Sequence, residues 1–374
     1  MTTVTAFIHR VRQAHPPTHT LRLQFDDHIL AVHSSTLELF TVLAEYYAEF
    51  RAREEAFGQT VHITVHEGAA ELPLLQWKVL PLETGKRAVK EEFVDLADGR
   101  LIRKRQTGIV FALCGQENLA VGPVTANPNQ VINFINNRFI QSKLCRGGLL
   151  GHAAGVTANG HGMALAGFSG MGKSTLALHL MSQGCSFVSN DRVIVHAQGE
   201  RPTMFGVPKH PRINPGTALH NPDLAALLSE SERRALADRT DLWELEDKYD
   251  APIQTFFGPQ RFALRAPLDV LVLLNWGHTS APARCERVDL AQRPDLLPAF
   301  QKRPGVFFSP PPDEAAAIVQ PTLANYVHAL AQCHVYEIRG KVDFAAATAF
   351  CLDLLRAPAS QPLQEHTCPP TAPA

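Results

Sequence analysis

No run of this sequence is apolar for long enough to cross a bilayer: the longest interior stretch, VLVLL, falls far short of the roughly 20 residues a spanning helix needs. The opening segment, MTTVTAFIHRVRQAH, lacks the apolar core of a secretory signal. The expectation is a cytoplasmic protein with no membrane partner. A surplus of charge is also missing. The 35 Lys and Arg against 36 Asp and Glu leave a net charge of -1, too little for an electrostatic footprint on nucleic acid. The local cluster Arg103, Lys104 and Arg105 reads as a solvated strand end. The seven cysteines are scattered and form no CxxC pair. That argues for reduced, mostly buried thiols over a disulfide frame or a zinc site.

What the chain does have is an ordinary globular balance, 45% hydrophobic and 19% charged over 374 residues. That is enough for two or three domains. Residues 1–145 read as a smaller α+β domain. TLRLQFDDHILAVHS alternates as two strands turning at Asp26-Asp27, and STLELFTVLAEYYAEF places Leu37, Phe40, Leu43, Ala44 and Tyr47 on one helix face. Short strands follow, then a helix over PNQVINFINNRFIQSKL. Residues 146–356 read as an α/β domain. Its strands are expected over GVTANGHGMALAG, SFVSNDRVIVH, PLDVLVLLNWG and VYEIRG, and its helices over KSTLALHLMSQG and DFAAATAFCLDLL. Residues 357–374, rich in Pro and Ala, read as a disordered tail.

The densest signal is GFSGMGKST. Gly167, Gly172, Lys173 and Ser174 spell GxxxxGKS between an apolar strand and a helix, the pattern of a phosphate-binding loop. Glycines let the backbone turn its N–H groups onto a phosphate, and the helix N-terminus adds partial positive charge. In this pattern Gly167, Ser169, Gly170, Met171, Gly172, Lys173, Ser174 and Thr175 would hold a nucleotide. Lys173 would reach the outer phosphates, and the Ser174 hydroxyl would ligate Mg²⁺. Such a loop needs an acidic partner at a strand end. Asp191 in FVSNDRVIV is the candidate, as metal ligand, base or both; LLNWGH ends a buried strand without a carboxylate.

With His152, Gly160 and Gly162 ahead of the loop, Gly184 closing the helix, and Asp191 and Val193 following, the stretch from His152 to Val193 resembles the catalytic core of the HPr kinase/phosphorylase family. GVPKHPRINPGTAL, LWELEDKYD and VYEIRGKVDF are similar to the branch called HPr kinase-related kinase B. The resemblance implies an HPr kinase/PEP carboxykinase-like α/β domain with a mixed sheet. It implies a kinase that uses ATP and Mg²⁺, an ATP-grasp-type protein as partner, and homo-oligomers, since HPr kinases are hexamers. It also gives His152 a chemical role beside Lys173 and Asp191. The chain departs from the family at three places. Asn190 replaces the first of the paired aspartates, which serves the family as acid/base; Phe168 replaces an Asp; and GVPKHPRINPG replaces an acidic E-x-R-G-x-G segment. HPr itself and the reverse phosphorylase reaction are therefore not expected.

Asn190, Lys209 and Arg212 are the candidate substrate contacts, the last two as positive charges that would steady a transferring phosphoryl group. LWELEDKYD reads as a charged helical run burying Leu242, Trp243 and Leu245, and His179 as helix surface or packing. Three functions stay open in this order: a kinase for a hydroxyl on a protein, peptide or small molecule; a nucleotide-gated binding module; and a plain ATPase.

Overall fold

The computed structural model describes residues 3–356 apart from 55, 57, 59, 73, 82–87, 198, 200, 246, 278 and 311–320, so the proline-rich tail lies outside the described residues. The chain divides into two compact units, Met1–Gly147 with Arg303–Gln320, and Gly148–Lys302 with Pro321–Ala374. The return of the 303–320 segment to the first unit had no signal in the sequence.

The first unit opens with helix α1 (Val4–Ala14), for which composition gave no warning. Val4, Phe7 and Ile8 form its buried stripe. Asp98 caps it from outside, accepting from Val4 N at 2.7 Å and Thr5 N at 2.9 Å, which satisfies N–H groups a helix start leaves open. Strands β1 (His19–Phe25) and β2 (His28–Ser34) pair as a hairpin, and β1 buries alternate residues Leu21, Leu23 and Phe25. Helix α2 (Leu37–Tyr46) turns Leu39, Leu43 and Ala44 inward while Leu37 is exposed, so its buried face is rotated from the expected one. Strands β3 (Thr60–Glu67), β4 (Glu91–Leu96), β5 (Gly99–Lys104), β6 (Val110–Cys114) and β7 (Glu117–Gly122) complete a seven-stranded mixed sheet, and β7 is an unpredicted member. The strand order is β1-β2-β3-β7-β6-β5-β4, with β2–β3 and β3–β7 parallel. Helix α3 (Pro128–Cys145) starts with proline in its first turn. Near its end the buried Lys143 reaches Asp26 at 2.5 Å and Asp27 at 2.7 Å, in the β1–β2 turn.

His62 and His66 are spaced H-x₃-H, a zinc pair on a helix, but they stand on strand β3, where that spacing sets them two pleats apart. Among the described residues no three metal-capable side chains gather. No helix among them is long and apolar enough to cross a membrane.

The second unit is built on two sheets. The larger contains β9 (Ala153–Ala158), β10 (His161–Gly167), β11 (Ser186–Ser189), β17 (Val270–Leu274), β18 (Arg284–Arg287) and β19 (His334–Arg339), in the order β11-β9-β10-β17-β19-β18. β10, β17 and β19 run parallel while the flanking pairs are antiparallel, so this sheet too is mixed. VLVLL is buried at every position, as a central strand covered on both faces must be. The smaller sheet orders β16 (Arg265–Pro267), β13 (Thr203–Gly206), β12 (Val193–His196) and β8 (Leu149–Gly151). A two-residue ladder joins β14 (Arg212–Ile213) to β15 (Tyr249–Asp250). Helices α4 (Lys173–Ser182), α5 (Pro215–Leu219), α6 (Glu230–Ala237), α7 (Ile253–Phe257), α8 (Leu323–Ala329) and α9 (Phe344–Arg356) complete it. α9 is capped by Asp343, whose carboxylate accepts from Ala346 N at 2.9 Å.

SFVSNDRVIVH, expected as one strand, is two. β11 belongs to the large sheet and β12 to the small one, and Asn190-Asp191 sits where the chain crosses between them. The protein is thus α/β, with a mixed-sheet unit carrying the glycine-lysine loop behind a first unit of mixed sheet and helices.

Candidate nucleotide site

β10 ends at Gly167 and α4 begins at Lys173, so the loop joins the C-terminal end of a buried parallel strand to a helix N-terminus. Phe168, Ser169 and Gly170 are exposed. Gly170 (φ 83°) and Gly172 (φ 78°) occupy the left-handed region, which explains glycine at both. Gly172 is required twice over, because a Cβ there would lie 2.6 Å from Phe344 Cζ. Trp276, just after β17, donates from Nε1 to Met171 O at 3.0 Å, and its ring meets Phe344 edge-on at 5.1 Å. The loop is therefore braced from the ends of two neighbouring elements, β17 and α9. Behind it, Ser174 is half-buried, and the buried Thr175 hydroxyl bonds that of Thr217 on α5 at 2.8 Å.

Lys173 is 8% exposed. Its ammonium donates to Gly167 O at 2.7 Å and Phe168 O at 3.1 Å. Among the described residues no carboxylate lies within ion-pair distance of it. Burial pulls its pKa from 10.5 to about 8; Asp191 through space works against the fall and Lys302 adds to it.

Asp191 is held by the chain crossing. Ser189 Oγ donates to Arg192 O and accepts from Val207 N at 3.2 Å, which pins the turn on both sides. The register of β8 on β12 pairs Gly151 with Val193 and so brings His152 opposite the turn. His152 Nε2 lies 3.2 Å from Asp191 Oδ1. Gly151 has to be glycine, since a Cβ would sit 2.4 Å from Phe300 Cζ, and His152 N donates to Phe300 O at 2.6 Å. Burial works to raise the Asp191 carboxyl, but the His152 hydrogen bond, Lys302 and Arg192 outweigh it and hold the group well below the usual carboxylate range. Its side chain is 49% exposed, so it is a fixed anion that still faces solvent.

The loop, Lys173, Asp191 and His152 thus form one constellation with Lys302 and Arg192. Sequence reading missed the last two: Lys302 lies more than a hundred residues beyond the loop, brought in by the bond from its N to Leu150 O at 3.1 Å. Lys209 belongs to the same field; burial lowers its pKa, Arg192 lowers it further and Asp191 opposes both. Arg212 makes a surface ion pair with Asp250 at 3.1 Å, and both charges act on Lys209 through space, Arg212 lowering its pKa and Asp250 raising it. LWELEDKYD is a short 3₁₀ turn over Leu242–Glu244 followed by irregular chain and β15, and Trp243 is half exposed where burial was expected. Glu246 lies outside the described residues.

Two hard oxygens bear on whether Mg²⁺ fits. The Asn190 amide oxygen is buried and has no hydrogen-bond donor among the described residues, and the next residue supplies the Asp191 carboxylate. Mg²⁺ needs only one or two protein ligands of this kind, with phosphate and water completing its shell. The residues present fit the ion.

No family model matches the chain, and no curated protein matches it. Among solved structures the chain is similar to the Hpr(Ser) kinase/phosphatase from Coxiella burnetii, with 10% identity over 55% of this chain and 87% of that one and a TM-score of 0.27.

Proposed function

We propose that the second unit is an ATP-dependent kinase that transfers the γ-phosphoryl group to a hydroxyl of a protein, peptide or small-molecule acceptor. The observation that carries this reading is a buried lysine in a glycine loop, bonded to backbone carbonyls, with the ionised Asp191 acting on it through space. Backbone N–H groups of Gly170 to Thr175 would cradle the phosphates, with Lys173 against the outer ones. Ser174 and Asp191, with the Asn190 oxygen in support, would hold Mg²⁺, which neutralises charge on the phosphates when bound. The acceptor oxygen attacks the γ-phosphorus, the bond to the bridging oxygen breaks, and ADP leaves. A carboxylate held this far below its usual range is a weak base, so Asp191 orients the hydroxyl and its proton departs late, to Asp191 or through it to water. A loose transition state tolerates that. His152 fixes the carboxylate, and Lys302 and Lys209 offset charge on the moving phosphoryl group.

Transfer from γ-labelled ATP with Mg²⁺ into a cytosolic extract of the source organism tests this. Wild type should label an acceptor that neither Lys173→Ala nor Asp191→Asn labels. A second reading draws support from Asn190, which cannot take a proton: a nucleotide-gated module that works with an ATP-grasp-type partner. Tight nucleotide binding that Lys173→Ala abolishes, with no labelled acceptor, would favour it.

A further inference from the structure

Beside the loop stands an aromatic group that the phosphate chemistry leaves unused. We infer that Trp243 is the stacking platform for the base of a purine nucleoside triphosphate whose phosphates occupy the loop; this rests on the nucleotide reading above. One indole face is fixed from within. A Cβ on Gly216 would lie 2.7 Å from Trp243 Cε3, so glycine there lets α5 seat the ring. His220 stacks on the indole with centroids 5.1 Å apart and planes at 28°. Even with these contacts and Phe344 nearby, half of the side chain stays in solvent: Trp243 is 50% exposed. A single exposed indole is unremarkable by itself, but its position is not. The Phe344 ring lies 6.3 Å from the indole at 30°, and that same ring closes on Gly172. One ring's breadth therefore separates the platform from the phosphate loop. Both lie beyond the C-terminal ends of the parallel strands, where open α/β sheets take their ligands. Indole offers the largest π-face among side chains, and stacking on it is tolerant of base identity. The platform thus implies little discrimination between adenine and guanine.

The test is calorimetric titration of the full chain with Mg-ATP, Mg-GTP and Mg-tripolyphosphate, which has the phosphates without the base. Trp243→Ala is expected to weaken ATP and GTP roughly tenfold and to leave tripolyphosphate unchanged, with Trp243→Phe retaining most of the affinity. Trp276 bonds the loop itself, so any occupant of the loop can alter its emission; ATP should therefore quench indole emission more than tripolyphosphate does, and Trp243→Phe should remove that difference. Unchanged ATP affinity in Trp243→Ala would overturn the inference by placing the base elsewhere. Equal weakening of ATP and tripolyphosphate would overturn it too, making Trp243 a prop for the loop. Lys173→Ala separates the two levels. If it abolishes every ligand while Trp243→Ala changes none, the loop stands and the platform falls. If ATP affinity is unchanged by it, the loop reading falls and takes the platform with it.

Discussion

Among the described residues the most deeply buried lysine of each unit lies beside a turn, and the two are treated in opposite ways. Lys143 of the first unit is 3% exposed and makes ion pairs with Asp26 and Asp27 at 2.5 and 2.7 Å. Lys173 of the second is nearly as buried but bonds two backbone carbonyls, with Asp191 acting only through space. Both pay for desolvation, yet only Lys143 is repaid by carboxylates in contact. Its charge is a structural joint between α3 and the β1–β2 turn. No carboxylate touches Lys173 among the described residues, which is what the anion-binding role proposed for it requires.

The sharpest way to break the comparison is to remove each ammonium in turn. Lys173→Met should cut Mg-ATP affinity by roughly a hundredfold, the upper range for a charge-assisted bond. Its urea midpoint should stay level or rise, because the fold loses a charge it held at a cost. Lys143→Met should do the reverse. It leaves nucleotide affinity alone and costs about 2–3 kcal/mol in urea unfolding, less than a fully buried broken pair because Asp27 is half exposed. A loss of binding in Lys143→Met, or a large destabilisation in Lys173→Met, would erase the distinction.

Acidity gives a smaller effect with a definite sign. With its folded pKa lowered from 10.5 to about 8, Lys173 loses its proton in the folded chain while the unfolded chain keeps it. Nucleotide affinity should hold through neutral pH and fall as pH rises past about 8. Stability owed to this group moves the other way and rises between about 8 and 10.5, since the unfolded state binds more protons there. Titrating wild type against Lys173→Met isolates both trends, and identical pH profiles would sink the assignment. The smallest effect expected is that of Lys302→Met. Removing that like charge should move the alkaline fall in affinity to higher pH with little change at neutrality.

Local chemistry made part of this legible. The strand–loop–helix unit shows in the sequence because glycine, lysine and an apolar run are each demanded by a backbone requirement within a few residues. β17 declares itself because a strand buried on both faces has to be continuously apolar. The hairpin at Asp26-Asp27 shows in its alternation. What stayed hidden depends on partners distant in sequence. Helix α1 is capped by Asp98 as well as by the local Thr3. The break at Asn190-Asp191 is invisible because both halves are apolar and only the sheets divide them. Lys302 carries no motif, Arg212 is paired with Asp250, and Trp243 looked like core because it adjoins the buried Leu242.

The crossing at Ser189–Arg192 has one more consequence. Lys173 follows a strand of the large sheet, while Asp191 and His152 lie at the ends of neighbouring strands of the small one, β12 and β8. The residues packed together behind the lysine and the carboxylate include Ala153, Ala164 and Ala166 of the large sheet and Val193, Val195 and Met204 of the small one. Alanines there keep the sheets close. One added methyl group, remote from every reacting atom, would act as a shim, lengthening the reach across the site while both halves of the machinery stayed intact.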